Sequence, residues 1–317
     1  SVMAMSSKPA PPGQAASGFG SPENYITSGY SLTTFGSVLD GSYCYTYEPD
    51  QLKNGGSAPV VVFLHGMILL APEIYQDHIT HLCQQGYIVI FPQFQQSILT
   101  LIFDMDQRVY LDRAVAAVNK ALARLGSKAD MDNLVLYGHS LGGLLALSWS
   151  DAPDAPAARN IVLANPSVDM TAAMPVEIPG MDWLMGLFID MIDYEAKAAV
   201  TTAPVTLLTG NDDSIAPDWT AVDAYYALVN SSEVALYRFN TDKHGDPDLL
   251  GDHMASICDD GWMPSWLMTF IGGDGEVDAL DYRFYWAALD AALNGQVFLD
   301  FDMGNWSDGT PVNPVEQ

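Results

Sequence analysis

Short, continuous runs of apolar residues recur along the chain, and stretches with helical patterns separate them. The runs occupy residues 59–65, 87–93, 133–138, 160–165, 204–210 and 233–240. Runs without polar alternation are expected of parallel strands covered by helices on both faces. Residues 25–48 are instead rich in Tyr, Thr and Ser around an LDGS turn, which predicts a β-hairpin. The pattern predicts an α/β fold with a mostly parallel central sheet, an antiparallel N-terminal edge and helices on both faces.

The chain shows no internal repeat, and residues 22–317 are predicted to form a single domain. Residues 1–21 are rich in Ser, Pro, Ala and Gly and are expected to be a flexible leader outside the fold. A signal peptide would already have been removed, so we expect a secreted or periplasmic protein.

One segment, residues 168–200, is more apolar than a helix that merely connects two strands needs to be. Its apolar face either belongs to the core or forms a cap over an active site, where Met and aromatic side chains adapt to hydrophobic substrates. We favour the cap, in which Trp183, Leu184 and Phe188 are candidates for substrate contact.

Composition excludes several classes of partner. The chain has 317 residues with 39 acidic and 12 basic side chains, a net charge of -27. Nucleic acid and anionic membrane are therefore not expected as partners, and repulsion between copies favours a monomer. The acidity fits either a saline environment or an ordinary acidic secreted protein. No apolar run is long enough for a transmembrane segment, and the three cysteines predict one disulfide or none.

The segment NLVLYGHSLGGLLALSW (residues 133–149) contains Gly138, Ser140 and Gly142 in the pattern G-x-S-x-G. This pattern between a buried strand and a helix is typical of a nucleophile elbow, whose sharp turn exposes the serine hydroxyl. Glycine is needed on both sides because neighbouring elements approach the turn closely. The sequence therefore predicts Ser140 as a nucleophile at a helix N-terminus.

A serine nucleophile needs a histidine base and an acid to orient that base. The chain order Ser–Asp–His leaves His244 and His253 as bases, and the loop after residues 204–210 offers Asp212 and Asp213. We favour His253, because it directly precedes the last helical segments.

Two backbone amides should form an oxyanion hole. The first is the N–H of Leu141, and the second is assigned to Met67 in the HGM turn after residues 59–65. His65 in the same turn is a candidate substrate contact. His78 and His81 share one helix face, which is interpreted as exposed rather than as a zinc site. Acids at residues 241–252 and 300–309 are interpreted as surface residues, so no metal or organic cofactor is predicted.

Four motifs together, HGM, GHSLGG, GNDDSIAP and a late DH, resemble the α/β-hydrolase superfamily from about Ala58 to Asn294. Within it the chain is similar to dienelactone-hydrolase-like esterases, chlorophyllases and bacterial cutinases, including polyester (PET) hydrolases. The spacing G-x-x-D-x-x-x-P from Gly210 implies Asp213 as the acid, and Met67 as one wall of the acyl pocket. Ser167 stands where those polyesterases usually carry a tryptophan, and Trp183 could supply an aromatic surface instead.

The predicted function is a serine carboxylic-ester hydrolase acting on short- to medium-chain or hydrophobic esters. The resemblance extends the substrates to polymeric esters. A non-catalytic binding protein on a hydrolase scaffold is one alternative, because fold alone does not establish chemistry. A hydrolase of amide or carbon–carbon bonds is another.

Overall fold

The structure is a computed structural model and describes residues 7–97, 100, 103–170, 191–259, 261 and 275–317. The strands are β1 (Tyr30–Phe35), β2 (Cys44–Pro49), β3 (Ala58–Leu64), β4 (Ile88–Pro92), β5 (Ala129–His139), β6 (Asn160–Ala164), β7 (Val205–Gly210) and β8 (Val234–Phe239). The α-helices are α1 (Gln76–Gln84), α2 (Gln107–Leu125), α3 (Leu141–Ser148), α4 (Tyr194–Val200), α5 (Asp218–Ala227) and α6 (Trp286–Leu293). Shorter 3₁₀ segments are Pro22–Asn24, Pro72–Tyr75, Gly126–Lys128 and Trp149–Asp151, and a π-helical turn, Asp281–Tyr285, leads into α6.

The strands of the described residues form one eight-stranded sheet in the order β1-β2-β4-β3-β5-β6-β7-β8. β1 and β2 are antiparallel, as are β2 and β4, while every other neighbouring pair is parallel. The six apolar runs became β3 to β8, and the Tyr/Thr-rich segment became the β1–β2 hairpin. The predicted mostly parallel sheet with an antiparallel N-terminal edge is therefore confirmed.

Helices cover both faces of this sheet. Val61 and Phe63 of β3 belong to a core layer shared with α1 and α6. Their neighbours Val60 and Val62 belong to the opposite layer, which is shared with α2, α3, α4 and α5. Successive side chains of a strand point to opposite faces, so an uninterrupted apolar run is what a sheet buried on both faces requires.

The C-terminal segment protects the exposed edge of β8. The backbone of Arg238 in β8 exchanges two hydrogen bonds with Glu316, at 2.8 and 2.9 Å. Trp306 is buried, and its Nε1 donates to Asp242 Oδ2 at 3.1 Å. An unpaired edge strand invites association with another chain, and this segment occupies part of that edge.

Residues 7–21, which sequence composition placed outside the fold, lie against the C-terminal segment and the core. The amide of Asp246 donates to the carbonyl of Pro9 at 2.9 Å, and that of Ser307 donates to Ala10 at 2.9 Å. The amide of Gly20 donates to the buried Asp290 carboxylate at 2.7 Å. The anchoring groups lie almost the whole chain away in sequence, so the composition of the leader alone does not reveal them.

The three cysteines and the two histidines of α1 are buried in the core. The three thiols are free, so no disulfide joins them. His78 and His81, expected on an exposed helix face, are instead buried against Trp286, because α1 packs that face inward.

Within the described ranges, no cluster of three His, Cys, Asp or Glu side chains could hold a metal ion. None of the described helices has the length and apolar content to cross a bilayer.

Candidate active site

Ser140 sits at the tip of a tight turn between β5 and α3. Its backbone has φ 55° and ψ -118°, a conformation rarely adopted by residues other than glycine. A Cβ on Gly138 would lie 2.2 Å from the carbonyl oxygen of Gly142, and one on Gly142 would lie 2.1 Å from that of Leu64. The two flanking positions therefore admit only glycine, as predicted for a nucleophile elbow.

The structure brings the predicted acid and base to this serine. His253 Nε2 lies 2.8 Å from Ser140 Oγ, and His253 Nδ1 lies 2.9 Å from Asp213 Oδ2. All three residues are almost fully buried. The alternatives lie elsewhere: Asp212 is exposed, and His244 pairs with Asp308 at 2.7 Å beside the C-terminal segment.

Hydrogen-bond donors surround the carboxylate of Asp213. Its Oδ1 accepts from the amides of Ile215 and Ala216 at 2.9 and 2.7 Å, and its Oδ2 also accepts from Asn165 Nδ2 at 3.0 Å. Burial alone raises the pKa of Asp213, but His253 and these donors outweigh it and hold the pKa below its usual range. The carboxylate is therefore ionised at neutral pH and can orient and stabilise a protonated imidazole.

Asn165 and Tyr285 support the acid and were not predicted from sequence. Tyr285 donates its hydroxyl hydrogen to Asn165 Oδ1 at 2.5 Å, which orients the amide nitrogen toward Asp213. Tyr285 closes the π-helical turn before α6, and π-turns often occur at functional sites. Asn165 follows β6 with φ 45°. Its place directly after the strand that follows the elbow is the signal that could have identified it.

The two predicted oxyanion donors are the backbone N–H groups of Met67 and Leu141. Neither the amide of Met67 nor that of Leu141 has a hydrogen-bond partner among the described residues. Leu141 begins α3, where the first amides have no intrahelical acceptor. Met67 lies in the turn after β3, and the amides on both sides of it are bonded to buried side chains.

His65, predicted as a candidate substrate contact, lies inside the protein with no exposed side-chain surface. It is fully buried, and its ring stacks on Phe94 with centroids 4.0 Å apart. Its two ring nitrogens lie 2.6 Å from the carbonyl oxygen of Gly66 and 2.5 Å from that of Gln93. Burial lowers the pKa of His65 to about 4, so the ring is neutral at pH 7. A histidine in such a turn can stabilise the turn from within the core. A sequence motif does not distinguish this structural role from substrate contact.

His139, the residue between Gly138 and Ser140, connects two loops of the site. Its Nδ1 accepts from the hydroxyl of Tyr75 at 2.8 Å, and its Nε2 donates to the carbonyl of His253 at 2.8 Å. Burial and the neighbouring His253 lower the pKa of His139 to about 3, so it carries no charge near pH 7. The chain order Ser–Asp–His excludes this histidine as the base, and its sequence context does not reveal its structural contacts.

The predicted cap is described only at its ends. The amide of Ser167 donates to the carbonyl of Ser140 at 3.0 Å, which places Ser167 beside the nucleophile. Val168 and Ile192 are both buried in the layer that contains α2 and α3. The cap candidates Trp183, Leu184 and Phe188 lie outside the described residues.

The sheet order and the elbow define an α/β-hydrolase. Acylaminoacyl peptidase from Pyrococcus horikoshii superposes with a TM-score of 0.53 at 16% identity, over 73% of this chain but only 38% of that longer one. Thermogutta terrifontis esterase 2, solved after phosphonylation by sarin, gives a TM-score of 0.52 at 16% identity over 68% of this chain and 85% of its own. At these identities the likeness establishes the fold alone.

Sequence comparison identifies the family. The Chlorophyllase family matches residues 49–262, more than half of the chain. Chlorophyllase-1 from Arabidopsis thaliana is 24% identical over 245 residues, which are 69% of this chain and 70% of that protein. The chain therefore belongs to the Chlorophyllase family of α/β-hydrolase esterases, in agreement with the branch that its motifs resemble.

Proposed function

We propose that this protein is a serine carboxylic-ester hydrolase. The observation that carries the proposal is the continuous contact from Ser140 Oγ through His253 to the Asp213 carboxylate, with distances of 2.8 and 2.9 Å. A serine hydroxyl becomes a useful nucleophile only when a base accepts its proton, and this geometry suits that transfer.

In the acylation step, Ser140 Oγ attacks the carbonyl carbon of the ester while His253 Nε2 takes the hydroxyl proton. The negative charge that forms on the carbonyl oxygen is stabilised by the amides of Met67 and Leu141. Asp213 stabilises the imidazolium and keeps Nδ1 protonated. The intermediate then collapses, the carbon–oxygen bond to the alcohol breaks, and His253 returns its proton to the leaving alcohol.

In the deacylation step, water takes the place of the alcohol. His253 removes a proton from the water as it attacks the acyl-enzyme, and the same two amides stabilise the second tetrahedral intermediate. Its collapse breaks the bond between the acyl carbon and Ser140 Oγ, and His253 returns its proton to Oγ, which releases the carboxylic acid and restores the Ser140 hydroxyl. Side chains and amides of the chain itself act as the nucleophile, base, acid and oxyanion donors in this scheme, and water and the ester are the reactants.

The substrates that we favour are short- to medium-chain or hydrophobic esters. The apolar side chain of Met67 beside the proposed oxyanion hole and the membership of the Chlorophyllase family support this class. Chlorophyll and a polyester film are two specific candidates, the first from the name of the family and the second from the cutinase-like motifs. Acidic polymers are disfavoured, because a net charge of -27 repels them.

The test measures hydrolysis of p-nitrophenyl esters across acyl length by the wild type and by Ser140→Ala. We expect turnover in the wild type and its loss in the variant, with chlorophyll and polyester as further substrates. Matched amides separate an esterase from an amidase, and labelling of Ser140 by an organophosphonate separates both from a binding protein. A folded wild type that shows neither turnover nor labelling would rule out the proposal.

A further inference from the structure

Three consecutive amides form the turn that carries the proposed oxyanion donor. The amide of Gly66 donates to the hydroxyl of Tyr75 at 2.9 Å, and that of Ile68 donates to Gln95 Oε1 at 2.9 Å. The amide between them, Met67, has no partner within the described part of the chain. The two outer amides are thus held by side chains, and the middle one is left available to a ligand.

Both acceptors are shielded from solvent. Tyr75 and Gln95 are fully buried, so neither can exchange its partner for bulk water. Ile68 has φ 62°, a left-handed conformation that disfavours a β-branched residue. Strain of this kind persists only where surrounding contacts hold it, and the bond from its amide to Gln95 is one such contact.

The Tyr75 hydroxyl also connects this turn to the catalytic histidine. Because the oxygen accepts from Gly66, its own hydrogen is free to be donated, and it points to His139 Nδ1 at 2.8 Å. His139 therefore carries its proton on Nε2, which donates to the carbonyl of His253 at 2.8 Å. One chain of hydrogen bonds thus joins the oxyanion turn, the elbow and the loop of the base.

We propose that Tyr75 and Gln95 are positioning residues that preorganise the oxyanion hole, and that His139 extends the restraint from Tyr75 to the loop of His253. The inference rests on the proposed ester hydrolysis and adds residues that no motif identifies. An oxyanion hole is effective because its donors are aligned before charge develops, so loosening the turn weakens transition-state stabilisation more than substrate binding.

The main test compares Tyr75→Phe with Tyr237→Phe. Tyr237 is a matched control, since its buried hydroxyl donates to the carbonyl of Val297 and accepts from the amide of Leu299, neither of which belongs to the proposed site. We expect Tyr75→Phe to lower kcat roughly tenfold to a hundredfold with KM nearly unchanged, which is less than the ~10²–10³ for deleting a donor. Tyr237→Phe should retain the wild-type kcat.

A second pair of variants tests Gln95. Gln95→Glu keeps a carboxyl oxygen that can accept from Ile68, whereas Gln95→Met has a similar size and no such acceptor. We expect Gln95→Met to have a lower kcat than the wild type, and Gln95→Glu to retain most of the wild-type kcat. Equal losses in the two variants would overturn the assignment of Gln95.

Two further measurements distinguish a failure of the positioning role of Tyr75 from a failure of the proposed ester hydrolysis. The rate of Ser140 phosphonylation should fall in Tyr75→Phe, and residue-resolved hydrogen exchange should show the Gly66 amide protected in the wild type and unprotected in the variant. Unchanged kcat and phosphonylation in Tyr75→Phe, or an equal loss in Tyr237→Phe, overturns the inference. If the wild type is inert to esters and phosphonate alike, the proposed function fails. Hydrogen exchange then tests the positioning role of Tyr75 by itself. A Gly66 amide that is unprotected in the wild type, or equally protected in Tyr75→Phe, would overturn that role.

Discussion

The proposed nucleophile and its proposed acid–base partners are held in different ways. The elbow around Ser140 is a local structure, because Gly138 and Gly142 lie two residues to either side and make the sharp turn sterically feasible. The acid–base side is assembled from distant parts of the chain: Asp213, His253 and the supporting Asn165 follow three different strands. Local steric requirements leave a readable motif, whereas long-range support does not.

The largest effect on kcat is expected from a substitution of Asp213, the proposed acid that orients His253. Asp213→Asn keeps the shape of the side chain but removes the charge, and its amide favours the wrong tautomer of His253. In serine proteases the equivalent change lowers kcat by about 10⁴, and we expect a comparable loss in ester hydrolysis here. Asp212→Asn is the control and should retain activity, because Asp212 is exposed. Comparable losses in both variants would contradict the assignment of Asp213.

A substitution in the elbow tests the other side of the comparison. In Gly142→Ala the new Cβ would lie 2.1 Å from the carbonyl oxygen of Leu64, so the backbone of β3 or α3 must move. We expect the free energy of unfolding to fall by about 3 kcal/mol, the upper end of typical overpacking costs, along with loss of activity. Gly56→Ala, where a Cβ meets no atom within 4 Å, is the control for urea unfolding. Equal stability of the two variants would show that the elbow tolerates a side chain.

The same contrast explains what could be predicted from sequence. The runs that became β3 to β8 were readable because each strand is buried on both faces, and the motif around Ser140 was readable because all its residues lie within five consecutive positions. Tyr75, Gln95 and Asn165 were missed since their partners are distant in sequence, and only Asn165, directly after β6, occupies a position that could have drawn attention to it. The prediction for His65 identified an important turn but not the direction of its side chain, which only packing against Phe94 decides.

A smaller effect is expected at the outer support of the acid. Tyr285→Phe removes the hydroxyl that orients Asn165, so the amide can rotate and its bond to Asp213 weakens. A net hydrogen bond contributes about 1 kcal/mol, and we expect kcat to fall roughly fivefold to tenfold at unchanged KM. Steady-state kinetics against Tyr237→Phe, which loses a buried hydroxyl elsewhere, provide the measurement. Equal kcat values for the two variants would contradict the proposed role of Tyr285 in orienting Asn165.

The last expected effect is on the pH dependence of stability and concerns Asp252, the residue before the proposed base His253. It is buried, and its Oδ1 accepts from the amide of Met254 at 3.0 Å. Burial, with a contribution from Asp213, raises the pKa of Asp252 to about 7. Its protonated form is therefore favoured in the folded protein, and the stability that this contributes is complete below pH 4 and is lost as pH rises toward 7.

Asp252→Asn retains the acceptor oxygen and does not titrate, so it should avoid this loss. We expect the free energy of unfolding of the variant, minus that of the wild type, to increase by a few kcal/mol between pH 4 and pH 8, since each unit of raised pKa corresponds to about 1.4 kcal/mol. Urea unfolding of both proteins across this range measures it, and the difference matters because no other titrating group changes between them. A difference independent of pH would mean that Asp252 is ionised in the folded protein at pH 4. The acid–base side would then hold a second carboxylate charge beside Asp213.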